Sequence, residues 1–196
     1  MLDYEKKYYE NGFDLVAGID EAGRGPLAGP VCVAIAIMPK EPILEKVNDS
    51  KKLTEKRREE LYEQIKELAI DYHIELINEK TIDQINILNA TKLGMKNCID
   101  KIKTRPDIVL IDAVKIDSDI ETDSIIHGDA LSYNIACASI LAKVTRDRLM
   151  VEYDEKYPEY NFKKHKGYGT KEHIENLKKF GKSPIHRDTF IKNFIK

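Results

Sequence analysis

The stretch Gly18-Ile19-Asp20-Glu21-Ala22-Gly23-Arg24-Gly25-Pro26 follows an apolar run at 15–19 and precedes another at 30–38, rich in Val, Ile and Ala. Runs of that kind suit buried strands, so two adjacent carboxylates and one arginine are placed in a glycine-rich turn where a core strand ends. Neighbouring side chains on a regular strand point to opposite faces. Asp20 and Glu21 therefore serve one site only if the strand breaks there, with Glu21 offering its carboxylate, its backbone carbonyl or both. The glycines make such a break easy. A solvated acidic turn is the plainer alternative.

The rest of the chain alternates strand and helix. Residues 54–69 read as a helix with Leu61, Ile65 and Leu68 on one stripe, and 72–77 as a strand. Residues 86–102 have helical period, ended by Arg105-Pro106. A short apolar strand at 108–111 runs into Asp112, and a brief one at 124–126 leads to Gly128-Asp129. A long helix at 132–153 is lined by Ile135, Ser139, Ala142, Arg146 and Leu149, and its apolar first half predicts burial. After a basic loop at 163–169, a helix from Thr170 stops at Gly181, and a last short helix is expected within 185–196. The fold class is α/β with a central mixed sheet flanked by helices. With 196 residues the chain suits one structural unit, divided here into a main body at 1–156 and a small basic helical extension at 157–196 packed on it.

Composition limits the function classes. With 42% hydrophobic and 34% charged residues the chain reads as soluble and globular, and its longest apolar run, 31–38, is too short to span a bilayer. No signal peptide is evident. Cys32, Cys98 and Cys137 are an odd number, far apart and among apolar neighbours, as expected of reduced core thiols, so a cytoplasmic location is expected. A monomer is expected as well. The formal net charge is −2, yet residues 163–196 hold ten Lys or Arg against three Asp or Glu. An acidic body thus carries a basic tail, read either as a solvated surface or as a phosphate-binding face.

Three acidic stations stand at element ends: Asp20 with Glu21, Asp112, and Asp129. Burying one unpaired carboxylate is costly, and converging carboxylates repel unless divalent cations neutralise them. Oxygen ligands without His or Cys favour Mg²⁺ or Mn²⁺, and two such ions about 3.5–4 Å apart promote in-line phosphodiester hydrolysis.

These residues resemble the bacterial type 2 ribonucleases H (ribonuclease HII) over nearly the whole chain. The likeness is carried by GIDEAGRGPLAGP at 18–30, DSKKL at 49–53, LNAT at 88–91, the strand ending in Asp112, Gly128-Asp129, ASILAKVTRDR at 138–148, HKGYGTKEH at 165–173 and PIHR at 184–187. The resemblance implies a ribonuclease-H-like fold in which Asp20, Glu21, Asp112 and Asp129 are catalytic and hold two Mn²⁺ or Mg²⁺ ions. It also implies hydrolysis of the RNA strand of RNA–DNA hybrids, and nicking of duplex DNA 5′ to a single embedded ribonucleotide, leaving 3′-hydroxyl and 5′-phosphate ends. The backbone of Gly23-Arg24-Gly25 would read the 2′-hydroxyl, and Tyr168 would stack on the adjoining deoxyribose.

Arg24 is left between supporting the turn and holding a phosphate. Ser50, Lys51 and Lys52 precede a helix start that favours phosphate or is simply solvated, and Lys143 is expected near the acids or the nucleic-acid backbone. Lys163, Lys164 and Lys166 would grip the duplex. One departure is His127 and Leu131 at positions where the family often has lysine. The related type 3 enzymes have an extra N-terminal domain and lack the Gly-Arg-Gly turn, whereas only about 14 residues precede the first strand here. Phe190 and Phe194 have the spacing of a sliding-clamp peptide, though an amphipathic helix packed on the body fits them better. Two other readings stay open from sequence: a DNA nuclease of the same broad fold, and a nucleic-acid-binding protein without catalysis.

Overall fold

The computed structural model describes residues 1–47 and 50–195. Five strands form one mixed sheet in the order β3-β2-β1-β4-β5: β1 (Val16–Ala22), β2 (Val31–Ile37), β3 (Asp71–Ile77), β4 (Ile108–Asp112) and β5 (Glu121–Ile125). β2 pairs antiparallel with β1 and β3, while β1–β4 and β4–β5 are parallel. This is the α/β mixed sheet the alternating pattern predicts. β2 is buried along its whole length, as an apolar run inside a covered sheet must be.

Helix α5 (Tyr133–Lys156) crosses one face of the sheet, backed by α2 (Glu55–Leu68), and α3 (Glu79–Lys101) covers the other. Local signals set the boundaries of several helices. Thr54, Asn78, Ser132 and Thr170 each accept a hydrogen bond from the third amide beyond, and Gly181 ends α7 (Lys171–Phe180). Asn86 has φ +66° and accepts from the Asn89 amide, so it caps the second part of α3, where the helical period begins in the sequence. The helical residues before it, from Glu79, carry no comparable apolar stripe. Helix α1 (Asp3–Glu10) likewise has little apolar stripe to announce it in the sequence. Its Glu5 is fully buried and accepts from Ser132 Oγ at 2.6 Å and the Asn134 amide at 3.0 Å, at the start of α5.

Two features place the site. At Gly18 a Cβ would lie 2.1 Å from the Asn134 carbonyl carbon, so only glycine lets the α5 backbone rest on β1. The β1–β4 register, Val16 with Ile108 through Ile19 with Ile111, then brings Asp112 to the level of Asp20 at the same end of the sheet.

The strand break expected at Asp20–Glu21 does not occur. β1 continues to Ala22, pairing Asp20 with Ala34, Glu21 with Val33 and Ala22 with Cys32. Pairing with the fully buried β2 outweighs the glycine-rich sequence, which takes effect only after Ala22.

Beyond α5, α6 (Phe162–His165), α7 and α8 (Asp188–Ile191) pack back through Tyr160, Phe162 and Ile185 against Met150 and Ala28, and through Leu177 and Ile191 against Leu27. Phe190, Phe194 and Ile195 are partly buried in the latter cluster, in keeping with a helix packed on the body. The three cysteines are free and buried. No described helix is long and apolar enough to cross a membrane.

Candidate active site at the sheet end

Asp20 projects from β1 toward α5, where burial lifts its carboxyl well above the usual carboxylate range and the charges of Glu21 and Asp112 push the same way. Opposing this, Ser139 on α5 hydrogen-bonds the carboxylate, and the Glu21 amide donates to Asp20 Oδ1 at 2.7 Å. Glu21 is raised by burial too, partly offset by Arg24, whose Nη1 lies 3.3 Å from Oε1. Asp112 is raised by burial, held back by the Gly128 amide donating to Oδ1 at 2.7 Å, and raised further by Asp129. Asp129 is buried in the one-turn helix α4 (Gly128–Leu131), its Oδ2 3.4 Å from Lys51 Nζ. The four acids are thus electrostatic neighbours at one end of the sheet, and Asp20 and Glu21 share that end with β1 unbroken, so the break expected from sequence is not required.

Each carboxylate keeps a different local partner, and no set of three or more His, Cys, Asp or Glu side chains among the described residues is gathered to ligand distance. Cation fit is supported instead by Glu21 Oε2, which is buried with no hydrogen-bond partner among the described residues. A buried carboxylate oxygen in that condition is costly without a positive charge, and an all-oxygen donor set suits a hard divalent ion.

A cleft of about 320 Å³ opens beside these acids. Its walls are Glu21, the turn Gly23-Arg24-Gly25, Ser50, Lys51, Ser139, Lys143 and Tyr168. The turn and Tyr168, 143 residues apart, meet here: a Cβ on Gly25 would touch Tyr168 Cε1 at 3.9 Å. Ser50 is buried and bonds Ser139 Oγ at 2.8 Å, so it braces the cleft wall beside Asp20 rather than offering a free hydroxyl. Lys143 lines the cleft while paired to Asp147 at 2.8 Å.

Other candidates lie elsewhere. Lys166 is not on the cleft wall; its ammonium donates to the Lys163 carbonyl within its own loop. Lys164 pairs with Glu172 and Lys163 with Asp154. Lys52 is exposed and does not line the cleft, and Asp49, the first residue of DSKKL, lies outside the described residues. His127, exposed and left-handed at φ +60°, precedes α4, and Leu131 is partly exposed.

Two buried arginines that sequence reasoning gave no task hold the turn and the segment that follows it. Arg187 donates to the carbonyls of Gly23, Arg24 and Gly29, and Arg146 to those of Ala28, Pro30 and Lys166. Turn support therefore comes from Arg187, which leaves the Arg24 guanidinium at the cleft beside Glu21. A charged residue on the apolar face of the long helix was the available signal for Arg146; for Arg187 it was the PIHR motif.

The family model for ribonuclease HII matches residues 17–193. A ribonuclease HII of Acetivibrio thermocellus is 57% identical over 196 residues, covering 100% of this chain and 77% of the relative. Among solved structures, the ribonuclease H2 of Pyrococcus horikoshii OT3 superimposes with TM-score 0.79 at 27% identity, covering 92% of this chain and 96% of that one. The PCNA–RNase HII complex of Archaeoglobus fulgidus gives TM-score 0.75 at 27% identity, with 91% and 96% covered.

Proposed function

The chain belongs to the ribonuclease HII family and is a ribonuclease H hydrolase acting on RNA–DNA hybrids, and from that premise we propose that it also nicks duplex DNA 5′ to single embedded ribonucleotides, by two-metal hydrolysis leaving 3′-hydroxyl and 5′-phosphate ends. The observation that carries this reading is the meeting of Tyr168 with the Gly23–Gly25 turn in the cleft that also exposes Glu21. A reader of one 2′-hydroxyl needs close backbone approach on one side and a planar group on the other, next to the scissile phosphate.

Metal dependence is a property of the family, and Asp20, Glu21, Asp112 and Asp129 are the residues that would hold Mn²⁺ or Mg²⁺. Bound there, such ions supply the Lewis acidity that activates water and stabilises the departing oxygen. The chain's own residues do the rest. Ser139 and the Glu21 amide orient Asp20, and the Gly128 amide orients Asp112. Arg187 fixes the turn by its carbonyls, so the turn is preorganised before substrate arrives. Lys51 and Lys143 line the path of the phosphates on the cleft wall, with Arg24 at its mouth. The packing of Phe190 and Phe194 on Leu27 and Leu177 argues for a structural C-terminus rather than a clamp-binding peptide in this chain.

The test is cleavage of an end-labelled DNA duplex containing one ribonucleotide, beside an all-DNA duplex and a long hybrid, in Mg²⁺ and in Mn²⁺. One metal-dependent nick 5′ to the ribonucleotide with the all-DNA control intact supports the proposal. Cleavage of the hybrid alone would refute the junction-reading part.

A further inference from the structure

Behind Tyr168 lies a buried chain of imidazoles whose proton positions are dictated by its two ends. The Ser183 amide lies 2.9 Å from His186 Nδ1 and the Ser183 hydroxyl 2.8 Å from it; a backbone N–H only donates, so this nitrogen is the acceptor and the hydroxyl turns its proton toward it as well. His186 must then carry its proton on Nε2. That nitrogen is 3.0 Å from His173 Nε2, so His186 donates and His173 accepts. His173 is left with its proton on Nδ1, which faces the Tyr168 carbonyl at 2.9 Å and donates to it. The parallel case of His165 obeys the same logic, accepting from the Gly167 amide at Nδ1 and donating from Nε2 to the Tyr160 carbonyl. Its ring stacks on His173 at 4.4 Å and 15°.

We infer that His186 and His173 are positioning residues for Tyr168: a tautomer-locked relay from the Ser183 amide fixes the Tyr168 backbone, and through it the ring that faces Gly25. The inference rests on the junction-reading role proposed for Tyr168. Both imidazoles are neutral, burial having pulled each down to about 4, and a neutral pair is what a one-way relay requires, since two imidazoliums would face each other proton to proton. Without the His186 donor, His173 keeps the Nδ1–H tautomer that the Tyr168 carbonyl demands, but its Nε2 is left buried and unmet, and the ring loses the contact that holds its orientation toward that carbonyl. The remaining bonds at Tyr168, from its amide to the His165 carbonyl and from the Thr170 amide to its carbonyl, hold the loop but do not depend on that tautomer.

The experiment has two arms. Long-range ¹⁵N–¹H imidazole correlation of the intact wild-type protein should show His173 protonated at Nδ1 and His186 at Nε2; the opposite tautomer at His173 overturns the inference with no variant needed. In the second arm, kcat/KM is compared between a single-ribonucleotide duplex and a long hybrid. His186→Leu should lower the single-ribonucleotide to hybrid ratio about tenfold, the equivalent of one buried hydrogen bond, and His186→Gln, which keeps a donor at the Nε2 position, should restore it. An unchanged ratio in folded His186→Leu, while Tyr168→Ala shifts it, overturns the relay alone. A ratio that Tyr168→Ala itself leaves unchanged overturns the reading of Tyr168 beneath it.

Discussion

Arg187 Nη2 lies 2.6 Å from the carbonyl oxygen of Gly23, 164 positions away in the chain. The last motif of the sequence therefore holds the first, and the guanidinium satisfies three carbonyls at once. A lysine cannot reproduce this fork. Arg187→Lys is expected to destabilise the fold by about 2–4 kcal/mol, through orphaned buried carbonyls. It should also weaken cleavage at a single ribonucleotide more than stability alone explains. Urea unfolding and kinetics at a temperature where the variant is fully folded check the two parts.

Asp20 offers a test of metal and charge together. Its carboxyl, like those of Glu21 and Asp112, is raised above its unfolded value. An acid so raised favours the fold while protonated, and that contribution is lost as pH rises through the folded-state value. In chelator, Asp20→Asn should therefore raise the melting temperature at pH 7 to 8, while in Mn²⁺ its activity should fall at least about 100-fold below wild type. Adding Mn²⁺ should raise the wild-type melting temperature and release protons, and do neither to the same extent in the variant. A variant less stable than wild type in chelator would contradict the repulsion argument.

Gly18 and Gly25 separate fold from site. A Cβ at Gly18 would lie 2.1 Å from the α5 backbone, so Gly18→Ala must push α5 off β1 and carry Ser139 away from Asp20. The expected cost is about 1–3 kcal/mol or more, with loss of activity. At Gly25 a Cβ meets only Tyr168 Cε1, at 3.9 Å. Gly25→Ala should leave stability within about 0.5 kcal/mol of wild type yet obstruct the cleft and impair single-ribonucleotide cleavage. Paired thermal melts and cleavage assays read both outcomes.

The His173–His186 pair predicts where acid acts first. Both are lowered from about 6.5 to about 4 by burial, so the unfolded chain binds more protons between those values. The stability these neutral imidazoles give is complete above the unfolded value and lost as pH falls through the folded one, at about 1.4 kcal/mol per pH unit for each. Amide exchange in 160–187 should rise between pH 6.5 and 4 ahead of exchange in β1 and β2. Uniform exchange across both regions would count against it.

Much of this architecture is written in short-range signals. The strand runs, the caps Thr54, Ser132 and Thr170, and the stop at Gly181 act within a few residues, so helix and strand order can be read directly from the chain. So can the residue types of the candidate site: carboxylates at strand ends, a glycine turn and a tyrosine between glycines. What escaped was set by partners distant in sequence. β1 runs through Asp20 and Glu21 because β2 pairs with it, against a local composition that favours a break. α1 has little core stripe of its own and is anchored by one buried carboxylate, Glu5, at the start of α5.

Propensity, period and capping are local, so the α/β class, the order of most elements and the side chains chemically able to act are legible in the chain alone. Packing was needed to turn Lys166 into its own loop and to set Ser50 against Ser139. Packing likewise brings Arg187 to the turn and a line of histidines behind Tyr168. Those facts depend on hydrogen bonds whose donors and acceptors meet only after the sheet and α5 have packed, and burial then makes each unpaired group too costly to leave unmet.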